Sequence, residues 1–371
     1  MPHHTLYKAD EFEKGLLNKY YILCELVGPN FKYSDAEVVR KAIRLLVLAG
    51  QVLPAPVPKS LLMRAIGLAA ILVKELDLDM QSVVCAVLYR AVDEKLLTIS
   101  QAEENFGEET ARTIGELIKL EQRPEAMRAS HDTRSTSSAL VSERDRQCLL
   151  IVLVGYLYDM RTLTLLPSSN QTVAALKANS IYVPLAQKLG LYDMKAELED
   201  LYFKHTSQKQ YERLQNKVRE YTRGYESVLQ CFQASLEYEL EKTGIDYAFK
   251  SRVKGVYSIW RKMKQQKIAF EEVYDLLAVR IIIDAPREEE KKACWQAYTA
   301  VTNAYRPHKA RTRNWISIPK KTGYEALHTT VMNDDGQWIE VQIRTKRMDF
   351  IAERGDAAHW RYKEQGLSSL S

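Results

Sequence analysis

The spacing of apolar residues changes near Gly244, and this change constrains the fold more than any other feature of the sequence. Across residues 11–202, apolar residues recur three and four positions apart, most clearly in 61–78 and 82–97. That spacing is typical of amphipathic helices. After Gly244, short runs alternate apolar and polar residues, which favours strands. The sequence therefore predicts an all-α domain followed by an α+β domain.

Two segments interrupt the helical half. Residues 54–58 contain three prolines, and 123–139 form a polar stretch rich in serine and threonine, so both are predicted loops. Residues 206–240 continue as charged helical sequence with little core character, which indicates a connector. The predicted domains are 1–200 and 244–371, joined by a helical connector at 201–243.

The second half alternates strand and helix patterns. Residues 338–345 alternate strictly, and the Asp334-Asp335-Gly336 segment before them is typical of a hairpin turn. We predict strands at 245–253, 276–283, 315–318, 326–332 and 338–345, and helices at 256–267, 288–304 and 348–362. Together they predict a mixed or antiparallel sheet flanked by helices.

The five cysteines are odd in number and far apart, mostly within apolar helical patterns. This usage favours reduced thiols over disulfides or a zinc site. The N-terminal residues lack the charged start and apolar run of a signal peptide, and no apolar stretch approaches the roughly 20 residues that span a bilayer. A cytoplasmic location is the expectation.

Positive charge is concentrated in the second half, although the net charge is only +5. Residues 247–270 contain seven bases and no acid, and residues 291–324 contain eight bases and no acid. Two acid-free stretches in one half indicate an anionic ligand, either a nucleotide or a nucleic acid.

Lys254, Ser258 and Lys262 are spaced by four, so they share one face of the helix predicted from 256. Cations and a hydroxyl at a helix N-terminus, with free backbone N–H groups nearby, can bind phosphate. The alternative is an amphipathic helix with a solvated basic face.

Alternation in 338–345 places Glu340, Gln342 and Arg344 on one face of a strand. Asp275 enters the other strong strand, and two carboxylates from adjacent strands could hold Mg²⁺ against a triphosphate. Each acid alone could equally be a surface strand residue or a helix cap.

A basic loop, a glycine and a tyrosine precede a histidine in 319–328. Tyr324 could stack on a purine, while Lys320 and His328 could hold its phosphates. A lone tyrosine or histidine is more often structural.

Five segments in order and spacing resemble the synthetase domain of long RelA/SpoT-type stringent-response enzymes: 252–262, 274–280, 323–329, 340–345 and 357–360. The helical half also resembles the N-terminal domain of that family, so the resemblance covers nearly the whole chain. It implies an HD-like helical domain followed by a nucleotidyltransferase-like synthetase domain. The implied reaction transfers pyrophosphate from ATP to the 3′-hydroxyl of GDP or GTP, giving (p)ppGpp.

The resemblance also implies a role for each matching residue. Asp275 and Glu340 would hold Mg²⁺, with Glu340 aiding the metal or activating the acceptor hydroxyl, and Arg252 would be catalytic. The donor residues would be Arg252, Lys254, Ser258, Lys262 and Arg280, and the acceptor residues Lys320, Tyr324, His328, Gln342, Arg344 and Arg313, with Tyr324 stacked on guanine.

In this family the helical domain is usually a Mn²⁺-dependent HD hydrolase. Its ligand positions align here with Arg64, Tyr89, Arg90 and Gly155, none of which can bind a metal. Independently, the only histidine between Tyr7 and Phe203 is His131, in the polar stretch, which is too few for a histidine-rich shell. We therefore expect no Mn²⁺ and no hydrolysis, although the two arginines could grip a phosphate of a regulatory nucleotide.

Four residues depart from the family pattern: Thr322, Glu325, Ala326 and Asp349. Glu325 would add negative charge beside a phosphate site, and the choice between GDP and GTP stays open. Two other functions also stay open, a nucleotide-binding regulatory module without catalysis and a pyrophosphokinase acting on an RNA 3′ end. Family members usually continue into a C-terminal region that senses the ribosome, so the ribosome or tRNA are implied partners.

Overall fold

The computed structural model describes residues 23, 33–52, 59–76, 78–122, 143–165, 167–223, 225–320 and 323–354. The chain divides into two compact units, Met1–Gln171 and Thr172–Ser371. The predicted loops at 54–58 and 123–139 and the motif at 357–360 lie outside the described residues. Among the described helices, none is long and apolar enough to span a membrane.

Most described residues of the first unit are helical, as predicted. The helix Met80–Asp93 begins after Asp79, whose side chain accepts a hydrogen bond from the Ser82 N–H and so caps the first turn. It ends at Asp93, earlier than the pattern in 82–97 suggested. The helices are α1 (Tyr33–Val52), α2 (Lys59–Ile71, followed by a π-helical turn at Leu72–Leu76), α3 (Met80–Asp93), α4 (Ile99–Phe106), α5 (Glu108–Gln122) and α6 (Glu143–Arg161).

Five further helices precede the sheet: α7 (Ser168–Lys177), α8 (Val183–Lys188), α9 (Tyr192–Thr206), α10 (Gln208–Thr222) and α11 (Tyr225–Glu241). The predicted lack of core character in 206–240 is wrong. Leu229, Phe232, Leu236 and Leu240 of α11 are buried in the same core as the sheet. Their spacing of three and four is that of an amphipathic helix, and the charged residues between them obscured it.

The second unit contains a mixed sheet, as predicted. Its strands are β1 (Asp246–Val253), β2 (Leu277–Asp284), β3 (Arg306–Pro307), β4 (Arg313–Asn314), β5 (Leu327–Met332) and β6 (Trp338–Thr345), and its helices are α12 (Val256–Gln266), α13 (Glu290–Ala304) and α14 (Lys346–Arg354). Among these strands the order is β1-β2-β6-β5-β3, with β4 also pairing with β5. The β2–β6 pair is parallel, whereas the other pairs are antiparallel.

Strand β6 is the element that positions the site. Ile339, Val341 and Ile343 point into the core with no exposed surface, so the alternation turns the intervening polar side chains to the opposite face. The predicted turn at 334–336 is confirmed, with Gly336 at a φ of 75°. The strand predicted at 315–318 is wrong, because the Asn314 side chain accepts hydrogen bonds from the N–H groups of Ile316 and Ser317 and closes a turn.

Candidate active site

The two acids singled out from the sequence lie in one cavity. Asp275 lies in a turn just before β2, and Glu340 is on β6, where it pairs in register with Ala278 of β2. The cavity, here called the carboxylate cavity, has a volume of about 180 Å³. It is lined by Arg252, Lys254, Gly255, Ser258, Asp275, Ala278, Glu340 and Gln342. The sheet therefore brings both carboxylates to the start of the cationic helix α12.

Asp275 is held between two lysines. Its Oδ2 lies 2.6 Å from Nζ of Lys254, and its Oδ1 lies 2.6 Å from Nζ of Lys262. Burial alone would raise the pKa of Asp275, but the two ammonium groups outweigh it and lower the pKa. The carboxylate is therefore ionised at neutral pH, with a cation at each oxygen.

Glu340 is also held ionised, although by weaker partners. Gln342 Nε2 donates to its Oε1 at 2.7 Å, and His328 Nδ1 lies 3.3 Å from the same oxygen. Burial would raise the pKa of Glu340, and so would repulsion from Asp275. The contacts with His328 and Gln342 outweigh both effects and lower the pKa. Two ionised carboxylates in one cavity are the donor set that Mg²⁺ uses when substrate phosphates complete its coordination, so these residues fit that ion.

A second cavity, here called the tyrosine cavity, lies next to the first and has a volume of about 230 Å³. Arg252 and Gln342 line both cavities, so the two are adjacent. The tyrosine cavity is lined by Tyr192, Asp193, Arg252, Arg280, Lys320, Tyr324, Gln342, Arg344 and Ala352. Four of these residues are cationic, which suits an anionic ligand.

Tyr324 joins the two cavities through hydrogen bonds. Its hydroxyl lies 2.7 Å from Nε2 of His328 and accepts a hydrogen bond from Arg344 Nη2 at 2.7 Å. Burial raises the pKa of Tyr324, and burial lowers the pKa of His328, so both side chains are neutral at neutral pH. Both ring nitrogens of His328 thus face protein groups, which gives it a structural position between Tyr324 and Glu340 rather than the free imidazole expected of a phosphate ligand.

The remaining predicted site residues divide between the cavities and the surface. Arg280, expected near ATP, lines the tyrosine cavity and pairs with Glu353. Arg313 is exposed and donates to the carbonyl oxygens of Ala310 and Thr312, and it lines neither cavity.

The unusual acids of this chain are neutralised by neighbouring bases. Glu325 Oε2 accepts from Arg347 Nη2 at 2.6 Å, so its charge is compensated. Asp349 is 5% exposed. It lies 3.0 Å from Lys250, 3.4 Å from Arg344 and 3.8 Å from Arg280. Thr322 lies outside the described residues.

Sequence patterns missed three residues near these cavities. Trp315, assigned to a strand, stacks beneath Lys320, whose Nζ lies 3.9 Å from the ring centroid. Asp193 and Asp200 belong to α9, more than 50 positions before the cationic helix, and only the tertiary fold brings them there. No local pattern in the sequence signalled either acid.

Asp193 competes with any phosphate for Arg252, because its Oδ1 lies 3.1 Å from Arg252 Nη1. Both side chains are partly exposed, at 38% for Arg252 and 55% for Asp193, so the pair is weak. We expect Asp193→Asn to free the guanidinium and to lower the dissociation constant for inorganic pyrophosphate by roughly two- to fivefold. Calorimetric titration beside the matched exposed change Asp335→Asn checks this, and weaker binding would contradict it.

In the first unit, the residues aligned with the hydrolase positions form an ion-paired cluster. Arg64 Nε donates to Asp159 at 2.8 Å, and Arg64 Nη1 donates to the Tyr89 hydroxyl at 2.8 Å. Tyr89 and Arg90 each donate to Glu121, both at 2.8 Å. A Cβ at Gly155 would lie 2.9 Å from Arg64 Nη2, so glycine leaves room for the guanidinium.

The chain contains a helical unit and then a mixed-sheet unit with two adjacent, cation-lined cavities. These features define an α+β protein whose cavities suit anionic ligands. Two family descriptions match the chain: "Region found in RelA / SpoT proteins" over residues 251–367, and "HD domain" over residues 53–192. The chain therefore carries the RelA/SpoT region with an HD domain before it, and the family that the motifs indicated is confirmed.

Named relatives agree with that assignment. A probable guanosine-3′,5′-bis(diphosphate) 3′-pyrophosphohydrolase of Synechocystis is 35% identical over 80% of this chain and 39% of its own length. A GTP pyrophosphokinase of Myxococcus xanthus is 32% identical over 89% of this chain and 43% of its own. The bifunctional (p)ppGpp synthase/hydrolase SpoT of Escherichia coli is 31% identical over 81% of this chain and 42% of its own length. The chain thus spans about two fifths of the length of these curated relatives.

The small alarmone synthetase 1 of Bacillus subtilis, whose crystal structure was solved bound to its product pppGpp, is 21% identical in sequence to the matched part of this chain. The match covers 43% of this chain and 96% of that one, with a TM-score of 0.27.

Proposed function

We propose that this protein transfers pyrophosphate from ATP to the 3′-hydroxyl of GDP or GTP. The observation that carries the proposal is the adjacency of the two cavities, which share Arg252 and Gln342. The carboxylate cavity, which is lined by Arg252, Lys254 and the Ser258 hydroxyl, suits the phosphates of the donor. The tyrosine cavity, with an aromatic ring and four cations, suits a purine nucleotide acceptor.

The transfer is a displacement at phosphorus. The acceptor 3′-oxygen forms a bond to the β-phosphorus of ATP, the bond from that phosphorus to the α-phosphate oxygen breaks, and AMP leaves. Phosphoryl chemistry of this kind needs mainly alignment and positive charge. Lys254 and Lys262 would supply charge on the donor side, and Arg252, which lines both cavities, would contact the transferred group.

Asp275 and Glu340 would hold Mg²⁺, which supplies electrophilic stabilisation to the phosphate oxygens when bound. Glu340, which Gln342 and His328 orient, would also serve as the base for the acceptor hydroxyl. The acceptor proton then goes to the Glu340 carboxylate or to water.

The decisive experiment incubates the protein with γ-labelled ATP, Mg²⁺ and one acceptor at a time: GDP, GTP or a tRNA. We expect labelled ppGpp from GDP or pppGpp from GTP, with one AMP formed per labelled product. Label appearing only on tRNA would support an RNA 3′-end pyrophosphokinase. No labelled product with any acceptor would leave a nucleotide-binding module without catalysis.

We also propose that the HD domain does not hydrolyse (p)ppGpp, although several relatives are named as hydrolases. A cationic guanidinium lies among the residues aligned with the metal positions, and its positive charge opposes a metal ion there. Within the described part of the chain, no group of three or more metal-binding side chains exists. Incubation of labelled ppGpp with the protein and Mn²⁺ is expected to release no pyrophosphate.

A further inference from the structure

The first backbone N–H groups of the cationic helix α12 are already occupied. Asp200 of α9 accepts a hydrogen bond from the Val256 N–H at 3.1 Å through Oδ2 and from the Tyr257 N–H at 2.7 Å through Oδ1. A Cβ at Gly255 would lie 3.1 and 3.2 Å from the two carboxylate oxygens, so glycine permits this close approach. The sequence had suggested that these N–H groups are free for phosphate, and the structure contradicts that expectation.

Asp200 is one part of a continuous contact between α9 and α12. Phe203 packs against Trp260, with ring centroids 4.9 Å apart, and against Tyr257 at 5.8 Å. Glu199, which is 4% exposed and bonded to Lys195 at 2.7 Å, lies 3.5 Å from Arg261. The carboxylate therefore reaches the helix start from an element that is itself fixed by aromatic packing and charge pairing.

We propose that Asp200 is a positioning residue for pyrophosphate transfer, fixing the start of α12 so that Lys254 and Lys262 stay aligned on either side of Asp275. The inference rests on the proposed function. Lys254 lies one residue before the helix-capping Gly255, and its Nζ must reach the same carboxylate as that of Lys262, two helical turns further on. A small tilt of the first turn would separate the two ammonium groups.

It follows that side chains, and not the N-terminal amides of α12, bind the phosphates of the donor. A half-buried carboxylate at those amides repels any phosphate that approaches them. Arg252, Lys254 and Ser258, which line the carboxylate cavity, must then provide the binding, together with Lys262, which contacts Asp275.

The kinetic test compares Asp200→Asn and Asp200→Ala in the full chain. Asparagine keeps one acceptor oxygen, whereas alanine keeps none, so the KM for ATP should rise in the order wild type, Asn, Ala, by about three- to thirtyfold for Ala. The KM for the acceptor should change by less than about twofold. Asp335→Asn and Asp335→Ala, at an exposed turn, are the matched controls and should change neither constant.

A second measurement does not depend on activity. Amide hydrogen exchange should accelerate at Val256 and Tyr257 in Asp200→Ala by about three- to thirtyfold, with less acceleration in Asp200→Asn. Faster exchange with an unchanged KM for ATP would reduce Asp200 to a stabilising cap and overturn the proposal. A lower KM would show that Asp200 competes with phosphate and would overturn it as well.

The two readouts separate this proposal from the proposed function. If the wild-type protein transfers no pyrophosphate, calorimetric titration with ATP and Mg²⁺ replaces the kinetic test. Weaker ATP binding by Asp200→Ala, together with faster exchange at the two amides, would then still support positioning by Asp200. Equal ATP affinity of wild type and variant would overturn it.

Discussion

Glu340→Gln should reduce pyrophosphate transfer by about a thousandfold, the range found for loss of a group that accepts a proton or holds a metal in the transition state. The amide occupies nearly the same volume and still reaches Gln342, but it carries no charge and cannot accept a proton. The loss should therefore appear in kcat, with the KM for GDP or GTP changed by only a few fold. Rates from the γ-labelled ATP assay measure it.

The proper control is an identical change away from the cavity. Glu271 is exposed and pairs with Lys217 at 3.0 Å on the surface, so Glu271→Gln should retain nearly full activity. Thermal unfolding of both variants shows whether either has lost its fold. If Glu340→Gln keeps more than about a tenth of the wild-type kcat, the carboxylate is neither base nor essential metal ligand.

The sequence pattern predicted most of the longer strands of the second unit. A strand with one buried face alternates apolar and polar residues, and a strand buried on both faces is a short apolar run. The alternation in β6 placed Glu340, Gln342 and Arg344 together, and the structure does the same. The parallel pairing of β2 with β6, which brings Asp275 near Glu340, is a tertiary property that no local pattern encodes. The resemblance implied that both acids serve one metal site and therefore lie close together, whereas composition and period alone left each acid ambiguous.

Errors arose where side chains override local propensity. Trp315 and Ile316 are typical strand residues, yet the Asn314 carboxamide closes a turn there. The free helix N-terminus was expected because a sequence shows a helix start but not the carboxylate that reaches it from 56 positions away. The sequence therefore predicted many of the residues that line the cavities. It did not predict which distant side chains contact them, because the fold determines those contacts.

Arg64→Met should destabilise the first unit by about 3 kcal/mol, because it removes the cation shared by Asp159, Tyr89 and Glu121. Burial would lower the pKa of Arg64, but Tyr89, Asp159 and Glu121 raise it above the ordinary value, so the guanidinium stays charged. Its side chain is 11% exposed, while Asp159 is 40% exposed and can be hydrated after the change. We therefore expect a decrease in the free energy of unfolding at the low end of the range for breaking a buried ion pair.

Denaturant unfolding of the full chain, followed by circular dichroism, measures this loss. Arg112→Met is the matched control, since Arg112 pairs with Glu108 on the surface at 54% and 77% exposure and should cost less than about 0.5 kcal/mol. Equal stability of the two variants would contradict a structural role for the guanidinium.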